Sequence, residues 1–144
     1  MTYEEWLNNI ELLTNKDDLN ILKALENTPY NDNIHTNLFP KIKLLIEDKL
    51  VKAINNIIKN LDFMYHDDNY MDICMIEFKK SITFLERLIK IPQIKPDEQS
   101  ALLAKLKEDA NKTYDILEKE SIKIDDKGIL QMIIRNNRIK WSDQ

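Results

Sequence analysis

From Pro40 to Ile91 apolar residues recur at helical spacing in two runs, broken once by His66-Asp67-Asp68-Asn69. In the first run they fall at Ile42, Ile46, Leu50, Ala53, Ile57, Leu61 and Met64. These steps of four, four, three, four, four and three keep one face of a 3.6-residue helix. Leu45, Ile54, Ile58 and Tyr65 widen the stripe beyond a coiled-coil seam, to the breadth that packs into a globular core. Pro40 suits the first helical position, where its missing N–H has no intrahelical partner to lose. The second run has Met71, Cys74, Phe78, Ile82, Leu85 and Ile89 as its spine, with Met75, Phe84 and Leu88 at the edges. Pro92 disfavours helical geometry at Ile91, so this run stops near Lys90. Acids at 67 and 68 stand where the positive end of the second helix needs them. A break of about four residues predicts two antiparallel arms, 41–65 and 70–90.

Shorter elements flank this hairpin. Thr2 and Glu5 form a capping box, followed by an apolar face of Trp6, Ile10 and Leu13. Thr14 and Asp17 offer a similar cap to a second short helix carrying Leu19, Leu22 and Leu25. Asn27 to Phe39 has no periodicity and reads as a loop. After the hairpin, Ile91 to Lys95 reads as an extended connector, and Pro96-Asp97-Glu98 opens a helix with Leu103, Leu106, Ala110, Thr113 and Leu117 on one face. Along it Glu108–Lys112 and Asp115–Lys119 are spaced for i,i+4 ion pairs on a solvated face. The segment 122–144 supports two readings. At period 3.6, Ile129, Leu130 and Ile133 make a short helix capped by Asp125 or Asp126. At period 2, Ile122/Ile124, Leu130/Met132/Ile134 and Ile139/Trp141 make a small β-meander. The expected fold is therefore all-α: about five helices bundled around the long hairpin in a single domain, 1–144, with a C-terminal extension that is helical or β.

Composition narrows the function classes. The chain has one glycine, Gly128, in 144 residues, which is too few for phosphate-cradling loops or two-residue hairpins. A net charge of −4 argues against general polyanion binding. The lone Cys74 fits a reducing compartment. The longest apolar run is four residues, Ile73 to Ile76, and the acidic start Met-Thr-Tyr-Glu-Glu-Trp is unlike a secretory leader. These features place the chain in the cytoplasm, without a membrane span.

No residue pattern identifies a function. His66, Asp67 and Asp68 form the one cluster that mixes imidazole with carboxyl groups and so could hold a divalent metal; the plainer reading is a polar turn whose acids cap a helix. Asp125-Asp126-Lys127-Gly128 fails the calcium-loop register, because Lys123 stands where the first oxygen ligand belongs. Cys74 lies on an apolar spine, as inert thiols do, and the four serines carry no nucleophile motif. Arg135, Arg138, Lys140 and Trp141 make a compact basic-aromatic tip that could meet an acidic partner or stack on nucleic acid; the plainer reading folds it onto the bundle. The expectation is a non-catalytic protein–protein interaction or regulatory module, with catalytic residues and cofactors absent. By analogy alone, a small acidic helical protein that neutralises a toxin or binds a regulator has this character. Self-association into a homodimer through the long hairpin fits the same pattern. A metal-binding protein or metal-dependent hydrolase built on His66 is the alternative, and a weak nucleic-acid binder using the C-terminal tip is the third.

Overall fold

The computed structural model describes residues 22, 23, 26, 27, 32–65 and 68–141, with long-helix side chains placed from 40 to 62 and from 69 onward. Among the described residues there are four helices and no strand: α1 Asp32–Tyr65, α2 Asp68–Ile89, α3 Pro96–Ile124 and α4 Ile129–Asn136. The chain is all-α, as its 3.6-residue apolar period requires. The Thr2–Glu5 capping box and the Trp6 stripe lie outside the described residues. Of the second expected N-terminal helix, Leu22, Lys23 and Glu26 are helical.

Three local expectations change. First, α1 begins at Asp32, so Pro40 is interior and more than half of the expected loop, residues 32–39, is helix. An interior proline costs about 3 kcal/mol, which is why the local pattern favours a start at Pro40. The buried stripe from Ile42 onward sustains the helix through it. Second, the connector after α2 is a tight turn. Ile94 N–H donates to the Ile91 carbonyl at 3.2 Å, with Pro92 at the second turn position that its fixed φ suits. Ile91 and Ile94 are both buried, and Gln99 Nε2 donates to their carbonyls at 3.0 and 3.1 Å. Third, 129–136 is helix, so the β-meander reading of the tail is not what forms. Leu130 and Ile134, four apart, are buried together, whereas Met132, which alternation would put beside them, is 56% exposed.

The chain divides into two compact units, and each of the three long helices contributes residues to both. One unit takes in residues to 49 and 83–106. Its core is Leu22, then Ile42, Leu45 and Ile46 of α1, Phe84, Leu85 and Leu88 of α2, and Leu102 and Leu106 of α3. Polar contacts edge it: Lys49 Nζ stands 5.6 Å from the Phe84 ring centre, and Lys105 meets Glu47 at 2.9 Å. Arg87 donates to both carboxyl oxygens of Glu26, at 2.8 and 2.6 Å. That hydrogen bond holds the Glu26 carboxyl below its ordinary value against the opposing effect of burial. The pair's contribution is present above the ordinary carboxyl range and lost as pH falls through the lowered value; facing solvent, it is small.

The other unit takes in 50–82 and 107 to the end. Leu50, Ile57 and Leu61 of α1, Met71, Met75, Phe78 and Ile82 of α2, Ala110, Tyr114 and Leu117 of α3, and Leu130 and Ile134 of α4 fill its core. Phe78 meets Tyr114 edge to face, ring centres 5.2 Å apart at 73°, a favourable quadrupole arrangement. The hydroxyls of Ser121 and Thr113 are satisfied within α3, Ser121 donating to the Glu118 carbonyl at 2.7 Å and Thr113 to that of Asp109 at 2.9 Å. Gly128, at φ 80°, makes the left-handed bend between α3 and α4 that a side chain would strain. Among the described residues no helix is long and apolar enough to cross a membrane.

Candidate functional site

His66 and Asp67 lie outside the described residues, and of Asp68 only the backbone, at the start of α2, is described. Among the described residues no group of three or more His, Cys, Asp or Glu is arranged to hold a metal ion.

Cys74 lies in a groove of about 360 Å3 in the second unit. Ala53, Asn56 and Ile57 of α1 form one wall, and Tyr70, Ile73, Cys74 and Glu77 of α2 the other, with buried Phe78 beneath. Ile73, which lies off the apolar spine of α2 and its edges, is 55% exposed. Burial raises the Cys74 thiol above its ordinary pKa, a hydrogen bond with Tyr70 opposes this, and the nearby Glu77 charge adds to it. A thiol held protonated by its surroundings is a poor nucleophile. Ellman's reagent at pH 7.5 is accordingly expected to modify Cys74 several-fold more slowly than it modifies free cysteine, with the rate climbing above pH 9; equal rates at pH 7.5 would contradict the assignment.

The C-terminal basic-aromatic residues meet α3. Arg138 Nη1 lies 2.9 Å from both Asp115 Oδ1 and Glu118 Oε2, and its Nη2 donates to the Asn111 carbonyl at 3.0 Å. Its guanidinium carbon stands 5.3 Å from the centre of the Tyr114 ring, a cation–π distance. Arg135 Nε donates to the other Glu118 oxygen at 2.9 Å. Trp141 Nε1 donates to Asn111 Oδ1 at 3.4 Å, and Lys107 Nζ stands 5.8 Å from the indole. Lys140 is exposed. Asn137 closes α4 by donating from Nδ2 to the Ile133 carbonyl at 2.8 Å and to Asp72 of α2 at 3.3 Å.

The acceptors of this assembly, Asn111, Asp115 and Glu118, were not distinguishable from a solvated helix face. Glu108–Lys112 forms its i,i+4 pair at 2.8 Å, but Asp115 meets Arg138 at 2.9 Å, a partner 23 residues away. One signal was present. Glu118 adjoins Leu117 and stands four residues from Tyr114, at the edge of the apolar stripe, where a carboxyl group needs a cation if it is to be only 7% exposed.

Tyr114 is buried, its hydroxyl facing the Ile139 backbone without a hydrogen bond of full geometry. Burial pushes the phenol up to about 12, against smaller lowering effects from the Ile139 backbone and the Arg138 charge. The folded form thus keeps its proton where the unfolded chain would release it. The associated stability is whole below pH 10 and lost as pH rises towards 12. Absorbance titration at 295 nm should show a late tyrosine ionisation near pH 12 that is lost in Tyr114→Phe; a titration unchanged by that substitution would remove the assignment.

No family model, curated protein or solved structure matches the chain.

Proposed function

We propose that this chain is a non-catalytic protein-interaction module of the cytoplasm that docks a partner protein in the α1–α2 groove. The observation that carries the reading is Ile73, an aliphatic side chain 55% exposed on the wall of a groove of about 360 Å3. Apolar side chains gathered at a concave surface with a polar rim mark interaction sites more often than single exposed residues do. Val51 and Ile76, on the same two helices, are also about half exposed, at 55% and 48%. The two arms running antiparallel about residues 66–67 belong to this reading, supported by the two-residue break and the shared groove walls. The matching partner is an amphipathic helix with aliphatic side chains against Ile73 and a cation opposite Glu77. The basic tip is less suited to the role, because Arg135 and Arg138 already meet Glu118.

Affinity capture from the native cytosol tests the proposal. The wild-type chain should retain a specific protein whose binding falls about 10- to 100-fold with Ile73→Glu and persists with Ile116→Glu, on α3 outside the groove. Helicity by circular dichroism should be unchanged in both. Retention of the same protein by Ile73→Glu, or capture of none, would overturn the reading.

A further inference from the structure

Asn111, Tyr114, Asp115 and Glu118 occupy α3 at spacings of three, one and three, a single helix face over two turns. Together they present what a guanidinium requires: two carboxylates, a helix carbonyl with a free lone pair, and an aromatic face. The face is rigid, since Tyr114 is fully buried and Glu118 nearly so. Arg135, within α4, takes one oxygen of Glu118, whereas Arg138, which reaches the other oxygen and Asp115, is not part of any helix. Arg138 to Trp141 leaves the end of α4 without regular structure and lies on α3 through side-chain contacts. Beside the contact a hollow of about 410 Å3 borders Asp115 and Glu118, with Lys119, Arg135 and Arg138 also in its wall.

We propose that this face of α3 is an arginine-recognition site for a partner segment bearing an arginine and, three residues on, an aromatic side chain. The chain's own Arg138–Trp141 occupies the site as a competing self-ligand. The site is separate from the α1–α2 groove, and the inference does not rest on that reading. A tethered ligand competes at an effective concentration in the millimolar range, so the closed form taxes any incoming segment and the open form does not.

The test uses the full chain with Arg138→Ala and Trp141→Ala together, and a fluorescein-labelled peptide of the sequence Arg135 to Trp141. By fluorescence polarisation the opened variant should bind the peptide at least about tenfold more tightly than wild type. Binding should vanish when the arginine corresponding to Arg138 is alanine in the peptide, or when Glu118→Gln is added to the opened chain. Equal binding to wild type and opened variant, or none to an opened variant of unchanged helicity, overturns the proposal. Should the opened variant lose helicity, hydrogen exchange on wild type decides. Excess peptide should speed exchange of the amides of residues 138–141, and an unaltered rate at millimolar peptide overturns the proposal equally.

Discussion

Truncating Phe78 to alanine is expected to destabilise the chain by about 3–5 kcal/mol, the range for removing a buried phenyl ring from a packed core. The ring is 3% exposed and stands edge-on to Tyr114 at 5.2 Å. The loss has three parts: transfer of the ring out of the core, the void left behind, and the ring–ring contact, itself worth roughly 0.5–1.5 kcal/mol. Domains of this size have only about 5–15 kcal/mol in total, so the variant should unfold at a much lower urea midpoint. Phe78→Leu keeps most of the volume and should cost about 1.5 kcal/mol or less. A Phe78→Ala midpoint within about 1 kcal/mol of wild type would show that the α2–α3 contact is not the core of its unit.

Replacing Asp125 with alanine should cost about 2–3 kcal/mol, concentrated in α4. Asp125 is 1% exposed and its two carboxyl oxygens accept from the backbone N–H groups of Lys127 at 3.1 Å and Leu130 at 3.0 Å. One side chain thus shapes the turn through Gly128 and satisfies a donor in the first turn of α4. Gly128 itself has no side chain to do so. Alanine leaves the buried Leu130 N–H without an acceptor and frees that of Lys127, at the exposed turn. An eight-residue helix has little stability of its own, so it depends on this cap and on buried Leu130 and Ile134. Hydrogen exchange should become fast across 129–136 in Asp125→Ala, while the first unit keeps its protection. Asp125→Asn retains one acceptor and should recover part of the loss. Uniform protection in Asp125→Ala would mean that packing alone holds α4.

The legible and illegible parts of the fold separate by the range of the interactions behind them. Ile46, Ile57, Phe78 and Ile82 were assigned to the core from spacing, and all four are buried. A helix turns its face toward the core at a fixed period, so composition along the chain suffices. In residues 32–39 Ile34 and Leu38 do stand four apart, in step with Ile42 and Ile46, but Pro40 reads locally as a helix start, so the extension ahead of it is legible only once the helix is seen to run through the proline. In the tail both periods fitted the same isoleucines. The choice went to helix because Leu130 and Ile134 share one buried face while Asp125 caps it, neither of which the pattern of side chains could settle. At the candidate sites the gap is wider. The tip of Arg135, Arg138, Lys140 and Trp141 was visible as chemistry, yet Asn111, which receives it, looked like any solvated position, and Glu118 was set apart only by its place at the edge of the apolar stripe.

By itself the sequence determined an all-α chain, two long amphipathic runs meeting near residue 66, and the face that each turns inward, because burial of apolar area acts through a local repeat. Tertiary structure decided the rest: where α1 begins, that the tail is helix, and that a guanidinium from the C-terminal strap lies between two carboxylates of α3. Those outcomes depend on contacts between residues far apart in the chain, whose energies exist only once the helices have brought them within a few ångströms.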